Sequence, residues 1–320
     1  MAAPVTPASP GAGGVRNSLF RTPTTRSRGE GAIRGVLFVA AMLSVVTTLA
    51  IIGSLLVQTV AFFGDVRWSD YLFGTKWTPL FRGDQQSFGV IPLVWGTIYL
   101  SLIALAVAVP LGLLSAIYLS EYAPSRVRKT VKPVLETLAG VPTIVFGYFA
   151  LTFFTPEILR NVLNIQVNQF NALAAGIIMG FLVLPTIASV AEDAMSAVPA
   201  ALREGAFGMG ATKLQVSLRI VFPAALSGIV AALILGASRA VGETVIVLIA
   251  GGQTPNLGLN PAESYQSMAA FIAATAGGDI PTGSIEFLTI FTVGLTLFVL
   301  TLGLNMVSIR LVRKYRQVYE

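Results

Sequence analysis

The sequence predicts an all-α, polytopic membrane protein with six transmembrane helices. Of its 320 residues, 54% are hydrophobic and only 11% are charged, whereas soluble domains carry about 25% charged residues. Six apolar stretches are each long enough to cross about 30 Å of hydrocarbon. The chain has neither histidine nor cysteine, which excludes Cys/His zinc sites, thiol or imidazole nucleophiles, iron–sulfur clusters and disulfides. Any chemistry therefore depends on carboxylates, cationic groups, hydroxyls, amides and the backbone.

Residues 1–34 predict a disordered, basic cytoplasmic tail. They are rich in proline, glycine, serine and threonine, a composition that cannot bury a core, and they carry five arginines with a single acid. The tail is too long and too rich in proline for the start of a signal peptide. We therefore expect the first apolar stretch, 35–63, to remain as a membrane anchor. An extracytoplasmic loop follows it and completes the region 35–91.

Residues 92–309 predict the core of the chain, with five further membrane spans. Pro110, Pro142 and Pro185 lie inside three of these spans, where we expect local bends. Between the last two spans, Glu263–Thr275 predicts a short amphipathic helix at the outer membrane surface. The basic segment 310–320 predicts a cytoplasmic C-terminus. The five spans are 92–120, 133–154, 171–191, 225–250 and 287–309.

The 21 lysine and arginine residues indicate which loops face the cytoplasm. Placing successive loops on alternate sides puts sixteen of them on the side of the two termini and four on the other side. By the positive-inside rule both termini are then cytoplasmic, and an even number of spans agrees with this because it places both termini on the same side. The remaining cation, Arg239, lies within the fifth of the six spans, 225–250. Membrane topology therefore accounts for the net charge of +6, and we predict no nucleic-acid partner.

The cytoplasmic loop between the fourth and fifth spans, residues 199–223, carries the strongest functional signal. Pro199 can begin a short helix, Gly208 and Gly210 can end it, and Thr212 with Gln215 has the spacing of a capping box for a second helix. Apolar residues recur at helical spacing on this water-facing loop, which predicts a docking surface for a soluble partner. They are Leu202, Phe207, Met209, Leu214 and Val216.

Nucleotide-binding motifs do not explain this loop. Gly205 and Gly210 have the glycine spacing of a P-loop, but Ala211-Thr212 stands where lysine and serine or threonine are required. The stretch 208–213 lacks the last glycine of the dinucleotide pattern and follows no predicted strand. We predict no nucleotide, cofactor or metal site in the chain. A plain solvated connector does not account for the apolar residues.

The spacing within the loop resembles the EAA motif of importer-type ABC permeases. That motif reads Glu-Ala-Ala, three residues, Gly, nine residues, Ile-x-Leu-Pro. The chain has Glu204-Gly205-Ala206, Gly210 and Ile220-Val221-Phe222-Pro223 with both spacings kept, while Gly205 departs from Ala and Phe222 departs from Leu. The resemblance implies a type I ABC importer permease architecture and coupling to an ATP-hydrolysing subunit. The implied coupling residues are Glu204, Gly205, Ala206, Gly210, Ile220 and Pro223.

Arg239 and Glu243 give a second functional signal, because they lie inside an apolar span. A charge at the centre of a membrane helix costs about 2.5–3.5 kcal/mol on insertion scales, so it indicates function by default. In a continuous helix the two residues share a face, and a guanidinium binds a tetrahedral oxyanion through two hydrogen bonds. We expect Glu243 to hold that guanidinium, with Ser238 and Thr244 adding hydroxyls. An internal salt bridge that merely neutralises Arg239 is the structural alternative.

Four further stretches resemble the PstC-type permease subunits of phosphate-specific ABC transporters. The resemblance covers the chain from the first span to the C-terminus and leaves out residues 1–34. It implies an importer of inorganic phosphate in a bacterial inner membrane, in which Arg239 and Glu243 line the phosphate path. The four stretches are Glu136–Gly147, Glu192–Pro199, Ser238–Thr244 and Ala262–Thr275.

The same resemblance implies the partners of the chain and separates it from an enzyme. The partners are a second homologous permease subunit, a dimer of ATP-binding subunits and an extracytoplasmic phosphate-binding protein, with membrane lipid around the spans. ATP hydrolysis then takes place on a partner chain. Two alternatives stay open: a permease for another oxyanion such as sulfate or molybdate, and an ion-coupled secondary transporter in which Glu243 carries a proton. The second alternative leaves the loop 204–223 unexplained.

Overall fold

A computed structural model describes residues 25–81 and 83–315 of the chain. Regular secondary structure within those ranges is helical, and a single isolated bridge joins Trp77 to Phe88. The predicted all-α fold is confirmed. The chain divides into two compact units, one ending at Gly53 and the other beginning at Ser54.

Helix α1, Thr25–Asp65, provides the described part of the first unit. Apolar side chains such as Val36, Leu43 and Leu49 are exposed along it, as expected of a helix surrounded by lipid. Residues 25–34, which the sequence assigns to the tail, belong to this helix. The rest of the predicted tail, residues 1–24, lies outside the described residues.

The second unit contains the remaining helices, several of which continue as π-helical turns. Such turns extend α3 over Tyr118–Tyr122 and α5 over Ala150–Val162, and they precede α9 over Ser217–Val221. A further π-helical segment, Val247–Gly251, follows α10. The helices are α2 Trp68–Phe73, α3 Ile91–Ile117, α4 Ser125–Leu138, α5 Thr143–Phe149, α6 Ala172–Ser196, α7 Ala200–Gly208, α8 Lys213–Val216, α9 Phe222–Ala224, α10 Leu226–Val241, α11 Met268–Ala276 and α12 Ile285–Tyr315.

The centre of this unit is the packing of α3 along α6. Glycines bring the two helices close together: a Cβ added at Gly180 would lie 2.8 Å from the carbonyl oxygen of Ala104. Small residues permit this approach between membrane helices, where close packing replaces the hydrophobic effect as the source of association. On α10, Gly236 makes the equivalent approach to Ile187 of α6. Helix α6 therefore lies buried between α3 and α10.

The count of six spans holds if each bent helix pair forms one span. Four described helices are each long and apolar enough to cross a membrane, and two pairs pass the same test only together. Helices α4 and α5 with its π-helical extension are bent by 84°, and Lys213–Ala224 is bent by 73° from α10. The prediction of one helix over 133–154 is wrong, because helical structure is interrupted between the end of α4 and the start of α5.

Proline positions explain part of this difference. Pro110 and Pro185 lie inside α3 and α6, as predicted. Pro142 instead precedes α5 as its N-cap residue. A proline disfavours helical backbone in the residue before it, and Gly140 just upstream is a poor helix former. The two effects together end α4 before residue 142.

The predicted surface helix at 263–275 is also wrong. Helix α11 begins later, at Met268, and its residues Met268, Ala270 and Phe271 are buried. It packs between α3 and α12. The stretch after Ser267 is apolar on all sides, which suits a buried helix and not an interfacial one.

Candidate functional site

The segment between α6 and α10 forms two helical parts, as predicted. Helix α7 begins after Pro199, and a second helical run extends from α8 through α9 to the bend before α10. The predicted capping box is present. The backbone N–H of Gln215 donates to Thr212 Oγ1 at 3.4 Å, and the backbone N–H of Thr212 donates to Gln215 Oε1 at 2.8 Å. Local sequence rules therefore account for this geometry.

Gly210 makes the turn between the two parts. Its φ is +83°, a left-handed conformation that glycine adopts without steric cost. The backbone N–H of Gly210 donates to the Phe207 carbonyl at 2.9 Å, and that of Ala211 donates to the Ala206 carbonyl at 3.1 Å. These two bonds close the C-terminus of α7 as a Schellman motif. The glycine of the EAA-like motif is thus a requirement of the backbone.

The remaining motif residues divide between an open face and a packed face. Glu204 and Gly205 are exposed on α7, whereas Ala206 is buried and Ile220 is half-buried. Pro223 is exposed in α9. A Cβ added at Gly205 would meet no atom within 4 Å. The departure of Gly205 from the alanine of the motif therefore has no steric cause in this chain.

We call residues 199–223 the coupling segment. Four apolar side chains form an open surface on it, which we call the coupling surface. Leu202, Phe207, Met209 and Leu214 are 37% to 84% exposed. Val216, predicted to belong with them, is fully buried in a cluster with residues of α6 and α10, so that part of the prediction is wrong. An exposed apolar patch of this kind is typical of a contact surface.

Arg203 attaches α7 to the helix bundle. Its Nη2 lies 3.0 Å from Glu121 Oε1 and donates to the Met195 carbonyl at 2.7 Å, and its Nη1 donates to the Val198 carbonyl at 2.5 Å. The two side chains of the ion pair are only 19% and 7% exposed. Lys213 adds a second link, since its Nζ lies 4.9 Å from the centre of the Tyr122 ring. The coupling segment is therefore attached to the ends of both α3 and α6.

The expected pairing of Arg239 with Glu243 is wrong. Helix α10 ends at Val241, and helical backbone resumes only at Val245, so the two residues do not share a helix face. Glu243 Oε1 instead accepts the backbone N–H groups of Val245 and Ile246 at 3.1 and 3.3 Å. Its side chain is buried and caps the next helical turn. Gly242 and this carboxylate offer the backbone an alternative to a continuous helix.

Arg239 is held by neutral oxygens. Its Nη1 donates to Thr186 Oγ1 on α6 at 2.8 Å, and its Nη2 donates to the Ala139 carbonyl after α4 at 3.3 Å. Among the described residues, no carboxylate lies within ion-pair distance of its guanidinium. The alternative of an internal salt bridge therefore does not describe this arginine. A guanidinium carries five N–H groups, and these contacts leave some of them free for a ligand.

The other two predicted path residues point to different neighbours. Ser238 Oγ donates to Asn305 Oδ1 of α12 at 3.4 Å, and Thr244 Oγ1 donates to the Gly242 carbonyl at 3.1 Å. The structure thus brings Arg239 together with Thr186, which the sequence did not single out. The sequence feature that could have identified Thr186 is its position beside Pro185 inside an apolar span. Its partner lies 53 residues away, which no local pattern reveals.

Comparison with known proteins agrees with this architecture. Residues 108–317 match the family model described as binding-protein-dependent transport system inner membrane component. The phosphate transport system permease protein PstC of Haemophilus influenzae is 30% identical over 301 residues, covering 88% of this chain and 90% of that relative. A probable ABC transporter permease protein of Bacillus subtilis, YqgH, is 32% identical over 232 residues, covering 72% and 74%.

A solved structure shows the same fold at lower sequence identity. A chain of a bacterial alginate ABC transporter, solved in complex with an alginate pentasaccharide-bound periplasmic protein, superposes with a TM-score of 0.61 at 17% identity. The match covers 90% of this chain and 98% of that chain. Together with the apolar helices, these matches make this chain a multi-pass membrane permease of the ABC transporter class, and it belongs to the binding-protein-dependent transport system inner membrane component family.

Proposed function

We propose that this chain is the transmembrane subunit through which an ATP-driven importer carries inorganic phosphate into the cell. It forms half of the translocation path, and a second homologous permease forms the other half. The relative from Haemophilus influenzae, named a phosphate transport permease, aligns with 88% of this chain. That coverage includes both the coupling segment and the region of Arg239.

The observation that carries the phosphate assignment is the environment of Arg239. A guanidinium among neutral oxygens keeps its positive charge available, whereas an ion pair would have neutralised it. Glu243 Oε1 accepts two backbone N–H groups, and its other oxygen is a further acceptor for the proton of a hydrogen phosphate ion. Ser238 and Thr244 flank these residues in sequence and supply hydroxyls to the path. The binding is loose enough for release because few groups contribute.

Coupling to ATP hydrolysis takes place through the segment 199–223. The coupling surface, with Glu204 beside it, docks on a dimer of ATP-binding subunits, and the chain itself hydrolyses nothing. Both termini and this segment lie on the cytoplasmic side of a bacterial inner membrane. An extracytoplasmic phosphate-binding protein delivers the ion on the opposite side. The attachments of Arg203 transmit movement of α7 to α3 and α6.

Transport in proteoliposomes tests this assignment. The chain is reconstituted with its second permease, its ATP-binding subunits and its binding protein, and ATP-dependent uptake of labelled phosphate and sulfate is measured. We expect uptake of phosphate only, and we expect Arg239→Gln to abolish it while the complex still assembles. The matched control is Arg67→Gln, which removes an exposed arginine that precedes α2.

Three results would reject the proposal. Near-normal phosphate uptake by the Arg239→Gln complex would remove the arginine from the path. Uptake of sulfate in preference to phosphate by the parent complex would assign the permease to another oxyanion. Uptake that follows an ion gradient without ATP would support a secondary transporter instead.

A further inference from the structure

Glu192 is a buried carboxylate that neither the path nor the coupling surface uses. It lies near the cytoplasmic end of α6, and its side chain is 3% exposed. Lys132 of α4 donates from Nζ to Glu192 Oε2 at 2.6 Å and also to Asp193. Arg128 Nε lies 3.6 Å from Glu192 Oε1. A carboxylate is buried at this depth only when charged or hydrogen-bonding partners compensate its desolvation.

Polar contacts of this kind hold α4 in place. No residue of α4 is buried, so apolar packing contributes little to its position. At its start, Arg128 donates from Nε to the Leu119 carbonyl at 2.7 Å and from Nη2 to the Ser120 carbonyl at 2.5 Å. One turn beyond Lys132, Glu136 Oε1 accepts from Ser189 Oγ at 3.4 Å. The ion pair of Lys132 with Glu192 is the most buried of these contacts.

The far end of α4 touches Arg239. The Ala139 carbonyl, which follows α4 directly, accepts from Arg239 Nη2, while Thr186 of α6 accepts from Nη1. One acceptor thus moves with α4 and the other belongs to α6. Both oxygens can accept hydrogen bonds from one guanidinium only if the distance between α4 and α6 stays as it is in this structure.

We propose that Lys132 and Glu192 are positioning residues for Arg239. Their ion pair holds α4 against α6, so that the Ala139 carbonyl and the Thr186 hydroxyl orient the same guanidinium. The importance of Arg239 rests on the proposed function, but the contact between α4 and α6 does not. A purely neutralising role for Lys132 would leave the distance between the two helices unchanged when the pair is broken.

A cysteine crosslink measures that distance directly. The chain contains no cysteine, so Glu136→Cys with Ser189→Cys introduces the only thiol pair within it. Their side-chain oxygens lie 3.4 Å apart in the parent chain. The double variant is assembled into the full transporter in membranes and treated with a short thiol crosslinker. The rate of crosslinking within this chain is then read by peptide mass.

Breaking the ion pair is expected to slow the crosslink. In the cysteine background, Lys132→Met and Glu192→Gln each slow it by at least about tenfold, because loss of one partner of a buried pair destabilises the contact by more than one order of magnitude. Lys132→Arg keeps the charge and the parent rate. Lys129→Met is the matched control, since Lys129 lies on the same helix, is exposed, and has no ion-pair partner among the described residues.

Phosphate uptake, measured without the cysteines, gives the second readout. Lys132→Met is expected to raise the phosphate concentration for half-maximal uptake by about tenfold, which corresponds to one displaced hydrogen bond on the guanidinium, and Lys132→Arg restores it. If a single variant fails to assemble, Lys132→Met with Glu192→Gln removes both charges of the pair, leaves neither one buried alone, and is expected to assemble with a slow crosslink.

Each outcome decides the proposal. Crosslinking at the parent rate in Lys132→Met and Glu192→Gln overturns it, and so does slow crosslinking with unchanged phosphate dependence. If Arg239→Gln itself transports normally, the path assignment fails, while the crosslinking rates still show whether the pair holds α4.

Discussion

Replacing Arg203 by methionine breaks the most buried attachment of the coupling segment. Methionine keeps the aliphatic bulk but removes the charge beside Glu121, which is 7% exposed, and leaves the Met195 and Val198 carbonyls without their donor. Removing one partner of a buried pair costs about 3–5 kcal/mol. Because Arg203 itself is 19% exposed, solvent screening places the expected loss near the lower end, about 3 kcal/mol.

A double-mutant cycle separates the ion pair from the other contacts of Arg203. We expect Arg203→Met with Glu121→Gln to lose about 2 kcal/mol less than the sum of the single variants, since the neutral amide tolerates burial without a cation. The assay is thermal unfolding of the assembled, purified transporter, followed by ATP hydrolysed per phosphate transported. We expect the single variant to hydrolyse ATP with little transport, because α7 no longer moves with α3 and α6.

The matched control is Arg219→Met, on the same segment but exposed and outside the ion pairs among the described residues. Single-variant effects that add within about 0.5 kcal/mol would show that Arg203 and Glu121 do not interact. Parent stability and parent coupling in Arg203→Met would refute the reasoning altogether.

Three smaller substitutions test local geometry. Gly205→Ala improves the helix propensity of α7 where an added Cβ meets no atom within 4 Å, so thermal unfolding shows a gain of about 0.5–1 kcal/mol; a loss would contradict the open face. Gly210→Ala places a side chain at a φ of +83° and lowers the free energy of unfolding by about 1–2 kcal/mol. We also expect weaker retention of the ATP-binding subunits on affinity purification. Full retention would argue against a docking role. Glu243→Ala removes the acceptor for the Val245 N–H and lowers the free energy of unfolding by about 1 kcal/mol. Glu243→Gln keeps an acceptor and the parent melting temperature. Equal melting temperatures for the two variants would show that the carboxylate does not stabilise this turn.

Features that depend on neighbours in sequence were predictable. The capping box of Thr212 and Gln215 and the turn at Gly210 follow from short-range backbone rules, and the structure has both. The long apolar stretches predicted the spans because a bilayer requires a certain length and composition. The candidate coupling residues were found in the same way, since their spacing is a property of one continuous segment.

Features that depend on where a helix stops were predicted less well. A continuous apolar stretch does not reveal the breaks at 139–142 and 242–244, because hydropathy is insensitive to glycine, proline and a capping carboxylate. Those breaks moved Pro142 out of a helix and separated Glu243 from Arg239. The burial of Val216 and of α11 was missed for a related reason, since helical spacing alone does not say which neighbour covers a face.

The amino-acid sequence alone predicts an all-helical, multi-pass membrane protein with two short helical parts between its fourth and fifth spans, because composition, length and local spacing are sufficient for these properties. Its permease role came from the resemblance of motifs to a known family. Tertiary structure decided which polar groups meet. Arg239 binds an oxygen 53 residues away on α6 and another 100 residues away after α4, and Lys132 reaches Glu192 across 60 residues. Such contacts arise from packing between distant segments, where no periodicity records them, and they determine whether an arginine inside the membrane is neutralised or remains available to an anion.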